Sequence, residues 1–147
     1  YSVKNNILVE ISSNKINFID LSQGSEFTGL NKITGNTFTL KASSGSKVNV
    51  DINFASVKSK ISSGCIIDLS GNAKNLELKS SSGSILKANS LLVDNCFITS
   101  SSGSICKINV SKGLSVNASS GSIVKYSGNP DMKEIDISHG AKLAKIK

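Results

Sequence analysis

Arginine and tryptophan are absent from this 147-residue chain, and histidine, proline and methionine occur once each. The missing arginine bears on partners. All 17 basic side chains are lysines, and the net charge is +7. Arginine is the side chain that grips phosphates and guanine edges bidentately. Its absence argues against a nucleic-acid partner, and the lysine excess reads first as solubility. No apolar run approaches the ~18 residues of a membrane helix, so no transmembrane segment is expected. A secretory signal is missing too. The chain opens at Tyr1 rather than at a methionine, as a mature or excised piece of something longer would.

Cysteine is also scarce. Cys65, Cys96 and Cys106 lack metal-ligand spacing. They fall at three different positions of the repeat described next, and a disulfide needs Cα atoms within about 7 Å. No disulfide is expected, and the three read as small buried apolar residues. Charged residues make up 18% and hydrophobic ones 38%, which suits one globular domain with a real core.

What is abundant is a corner. Ser-Ser-Gly-Ser-Ile occurs at 81–85, 101–105 and 119–123, with variants at 43–47, 62–66 and 138–142. The corner glycines are Gly45, Gly64, Gly83, Gly103, Gly121 and Gly140, spaced by 19, 19, 20, 18 and 19 residues. So steady a period marks a solenoid, whose repeats bury their apolar edges against one another.

Counting from each glycine as zero, positions −7, −5 and −3 alternate inward: Phe38, Leu40, Ala42 in one repeat and Leu114, Val116, Ala118 in another. In the last repeat they read Lys133, Ile135 and Ile137. After the corner, +3 is apolar throughout, from Val48 to Leu143, and +5 mostly so. This is the period of a strand, and no helical period is sustained. Equivalent strands in successive coils must run parallel, and such crossovers are right-handed in nearly all cases. The expected fold is therefore an all-β, right-handed, single-stranded parallel β-helix of six to seven coils, about 19 residues each. It spans 1–147 as one domain. Residues 41–147 are regular; 1–40 read as irregular first coils with an inserted loop. There, Ile7, Val9 and Ile11 lead into Asn14, which replaces a corner glycine, and 23–36 reads as loop. The corner serines are small enough to stack in the bend and to bond one another or nearby backbone.

These Ser-Gly-Ser-Ile corners, followed by Tyr126-Ser127-Gly128-Asn129-Pro130, resemble the auto-transporter adhesin family of head GIN domains. The resemblance covers roughly Phe38 to Lys147. It implies an exported β-helical protein at the cell surface, outer membrane or periplasm, and it supplies no catalytic residues.

The residues themselves offer little catalytic chemistry. His139 takes a corner place held elsewhere by serine, with no nucleophile beside it. Asp51, Asp68, Glu77 and Asp94 fall at four different repeat positions, so no glycosidase-like carboxylate pair stands out. No metal, cofactor or enzymatic activity is expected. Two outward features remain. Lysines form ladders at −4 (Lys41, Lys60, Lys79) and +4 (Lys87, Lys107, Lys125), which could hold an anionic glycan or headgroup or simply splay into solvent. An isoleucine row at +2 (Ile66, Ile85, Ile105, Ile123) is either an exposed stripe fit for a subunit contact or buried by a phase shift at the corner. The reading is a non-enzymatic adhesin-like module whose partner is a surface glycan or protein. The alternatives are a self-assembling scaffold and, third, a carbohydrate-active enzyme.

Overall fold

A computed structural model describes residues 8–13 and 15–146. Every paired strand runs parallel to its neighbour. In chain order they are β1 (Phe18–Leu21), β2 (Glu26–Thr28), β3 (Ile33–Ala42), β4 (Lys47–Ile61), β5 (Ile66–Ser80), β6 (Ile85–Ser100), β7 (Ile105–Ala118), β8 (Ile123–Ser127), β9 (Asp131–Ile137) and β10 (Lys142–Lys145). They form one sheet, β1-β3-β4-β5-β6-β7-β8-β10, with β2 on β4 and β9 on β7. The sheet closes on itself as a β-solenoid of about 7 turns at ~19 residues per turn, with no helix among the described residues.

Each middle rung is one long strand, bent partway, and one tight corner. The inward rows follow the period-two pattern. Phe38, Leu40, Val57, Ile61, Leu76, Leu78, Ile98, Leu114 and Val116 lie almost fully buried before the corner, as do Val48, Ile67, Leu86, Cys106 and Val124 after it. Covering one such side chain is worth about 1.5–3 kcal/mol, and stacked rungs cover one another's.

The corner is tighter than glycine alone implies. The residue before each glycine is also left-handed: Gln23, Ser44, Ser63, Ser82, Ser102, Ser120 and His139 have φ between 47° and 56°, and the following glycines between 69° and 76°. Two successive positive φ values define a type I′ turn, closed at every corner but the Ser62–Cys65 one as Ser46 N–H donates to the Ser43 carbonyl. The glycine N–H then donates along the axis, Gly83 to Ser102 O and Gly103 to Ser120 O at 3.0 Å each. Histidine is one of the residues that tolerate this backbone, which accounts for His139.

A second bend uses a different glycine. Gly71 has φ +103°, and a Cβ there would lie 2.0 Å from the Ile52 carbonyl oxygen of the preceding rung. Gly128 repeats the arrangement against Val110 O, with φ +92°. Here the backbones themselves are in contact.

The structure corrects the sequence reading at both ends. Residues 18–42 are not irregular. Gln23 and Gly24 form a true corner, with β1 paired to β3 and β2 to β4. The step from Gly24 to Gly45 is 21 residues, two more than the usual turn. Glutamine in the serine place hid it. The expected earlier repeat falls partly on Ile7 and Asn14, outside the described residues; Val9 and Ile11 lie in no strand and are exposed. At the other end, β9 carries a bulge: Leu114 pairs with Met132 and Val116 with Ile135. Met132, not Lys133, therefore takes the first inward place. Met132, Ile135 and Ile137 are nonetheless exposed, since no described rung lies over them.

Candidate functional site

Outside this core the side chains stand in rows, one residue per rung, about 4.8 Å apart. The +2 row settles the open alternative. Ile66, Ile85, Ile105 and Ile123 pair in direct succession and point outward, flanked by Lys47 and Lys142. Ile66 is 37% exposed and the other three are half-buried, each shielded by its neighbours in the row. The phase shift that would bury +2 does occur one residue earlier: Ser46, Cys65, Ser84, Ser104 and Ser122 at +1 are wholly buried. Inside, Ser100 and Ser104 hydroxyls meet at 2.8 Å, Ser80 and Ser84 at 3.0 Å, and Ser104 Oγ also donates to Ser80 O. These corner serines are structural.

The two lysine ladders differ. Lys41, Lys60 and Lys79 pair in register, capped by Asp20 at one end and Thr99 at the other. This ladder is partly neutralised. Lys79 lies 3.4 Å from Glu77, which also draws Lys58 at 3.9 Å, and Lys41 sits over the Phe18 ring at 5.5 Å. The second ladder, Lys87, Lys107 and Lys125, also pairs in register. Among the described residues none of its three lysines has a salt-bridge partner. It stands beside the isoleucine row on the same face, at +4 next to +2.

Three other carboxylates, Asp51, Asp94 and Asp131, are each matched to one lysine. Asp51 lies 3.4 Å from Lys32. Asp94 accepts from Lys112 Nζ at 2.8 Å and from Ser111 Oγ at 3.0 Å. Those hydrogen bonds, Lys112's first, hold the Asp94 carboxyl below the usual aspartate range. Two shallow grooves run along the remaining surface. One, of about 390 Å³, lies among Asn53, Asn72, Leu92 and Asp94. The other, of about 480 Å³, lies among Asn75, Glu77, Asn95, Phe97, Gly113 and Lys133. Each is lined by a single carboxylate, so no acid pair faces across either. No trio of His, Cys, Asp or Glu groups as a metal site among the described residues. His139 is exposed, and its Nδ1 meets only the neighbouring Ser138 hydroxyl at 3.0 Å.

The sequence profile of the family described as "Putative auto-transporter adhesin, head GIN domain" matches residues 1–130. The chain belongs to this family. The match starts well before Phe38 and stops at Pro130, so the shared region is shifted toward the N-terminus from the stretch expected, and the last rung lies beyond it. No curated protein and no solved structure matches this head GIN domain. Among its described residues no helix is long and apolar enough to cross a membrane.

Cys65, Cys96 and Cys106 of the head GIN domain are free and buried. Burial pushes the Cys96 and Cys106 thiols well up. The feature that sequence reading passed over is the −6 row: Phe18, Thr39, Lys58, Glu77, Phe97, Ser115. Two aromatics, Phe18 and Phe97, among polar outward residues were the available signal.

Proposed function

We propose that this head GIN domain is a non-enzymatic, exported module making adhesin-like contacts at the cell surface. The contact face is the one where the isoleucine row and the unpaired lysine row run side by side. That juxtaposition carries the reading. Three cations in successive rungs repel one another in the free protein, and an anionic surface relieves the repulsion. The adjoining isoleucines supply apolar area that water hydrates poorly. The family's adhesin description supports the reading. Binding of the domain to immobilised lipopolysaccharide and heparin, at low and high salt, tests it. Binding that weakens with salt and is lost in the Lys87→Gln/Lys107→Gln/Lys125→Gln variant is the expected result. A wild-type domain that binds neither at low salt overturns it.

A second reading, end-to-end assembly into a scaffold, is favoured by one observation. Met132, Ile135 and Ile137 leave apolar area uncovered on the last described rung. Sedimentation over a concentration series separates the two readings: growth in mass supports assembly, and a persistent monomer removes it.

A further inference from the structure

Phe97 stands where this fold gives an aromatic ring nothing to do. Its neighbours Cys96 and Ile98 face the core, while Phe97 points outward and is 44% exposed. The same row carries Lys58 and Glu77 below it and Ser115 above. The ring is thus an apolar plate set into a polar face.

The adjacent row supplies hydrogen-bonding groups. Asn75 and Asn95 pair across rungs, with Asn95 Nδ2 donating to Asn75 Oδ1 at 3.3 Å. That bond leaves the Asn95 carbonyl oxygen and the Asn75 amide hydrogens for another partner. The next residue in the row is Gly113. Its φ is not positive, so the backbone does not require glycine there. A Cβ at Gly113 would come within 2.9 Å of Asn95 Oδ1. The missing side chain therefore keeps the Asn95 amide uncovered. Lys58 and Lys133 also line this 480 Å³ groove; Glu77 is its one lining carboxylate, and Lys133 lies 3.6 Å from Asp131 in a solvent-exposed pair. Glu77 is already within reach of Lys58 and Lys79.

An aromatic face beside free amide groups, with cations at the edge, fits a flat ring that has C–H bonds on one side, hydroxyls around it and a carboxylate. We infer that the groove at Phe97 is a binding site for a carboxylated pyranose, a uronate unit of an acidic saccharide. The Phe97 face, electron-rich at its centre, takes the C–H side of the sugar. Asn75 and Asn95 take its hydroxyls, and Lys58 or Lys133 its carboxylate. The site lies before the corner, on a different face from the isoleucine row and the row of Lys87, Lys107 and Lys125. Its failure leaves the surface-contact reading standing, and the Lys87→Gln/Lys107→Gln/Lys125→Gln variant, which leaves the groove intact, separates the two.

Calorimetric titration of the whole domain with hexamers of galacturonate, mannuronate and glucuronate tests the site, with maltohexaose as the uncharged probe and hexametaphosphate as an anion without a sugar ring. At least one uronate should bind, more tightly than maltohexaose. Phe97→Ser should weaken that binding at least tenfold and leave hexametaphosphate binding unchanged, with the thermal midpoint held because the ring points outward. Lys133→Gln, at an exposed position, should narrow the gap between uronate and maltohexaose. Failure of all three uronates to bind, or equal uronate affinity in wild type and Phe97→Ser, overturns the inference.

Discussion

Glycine does two different jobs in this chain, and substitution should tell them apart. At Gly103 the backbone is left-handed, but a Cβ would meet nothing within 4 Å. Gly103→Ala should cost only the backbone term, about 1–2 kcal/mol. At Gly71 the added Cβ would press into the Ile52 carbonyl of the preceding rung. Gly71→Ala should cost about 3 kcal/mol or more. Denaturant melts of the two variants check the ordering, and equal losses would show that the close approach at Gly71 is not rigid. Asp94 makes a prediction about acid. Its folded value lies below its unfolded one, because Lys112 and Ser111 bond the charged form. Such a group adds stability above the ordinary aspartate range and loses that contribution as pH falls through its folded value. Asp94→Asn should therefore flatten the acid limb of a stability-against-pH curve, with little effect near neutrality beyond the lost ion pair.

For the strands, the informative quantity is what stands in register across rungs. Lys60 lies between Lys41 and Lys79 with no carboxylate in its own row until Asp20. Lys60→Glu would turn two like-charge contacts into two opposite ones. It should stabilise by about 0.2–1 kcal/mol, a gain visible in low-salt denaturation and shrinking as salt is added. The same register shows where sequence reading succeeds. The corner period and the inward apolar rows were legible from β3 to β8, since a strand's alternation and a fixed turn leave the pattern one way to wind. Legibility failed where the code was spelled differently. Gln23 replaced serine in the first corner, and a bulge at Lys133–Glu134 moved the inward place to Met132. The outward rows were readable as rows, but not in their chemistry. Which lysines find carboxylates depends on neighbours within and across rows, as Glu77 meets Lys58 of its own row and Lys79 of the adjoining one. Phe97 went unnoticed because two exposed aromatics four rungs apart, Phe18 and Phe97, leave no period.

Across the whole molecule, order depends on stacking, and protection should fall from the middle rungs to the ends. The thiols report on this. Cys65, Cys96 and Cys106 lie on three successive rungs and are buried. The native protein should leave all three unmodified by a thiol reagent at mildly alkaline pH, and denaturant should release all three together if the middle rungs open as one unit. Stepwise release would mean that rungs open separately, as nearest-neighbour stacking allows.

The axial hydrogen bonds from corner to corner have a mechanical consequence. A chain gripped at its two ends and drawn along the solenoid axis loads its rungs in series, so they peel one by one from an end. Each detached turn of ~19 residues would pay out about 60 Å of slack, its extended length less one rung spacing. Force spectroscopy should then trace a sawtooth of near-equal teeth. A domain of this build would absorb a tug in small instalments and stay attached by the turns still wound.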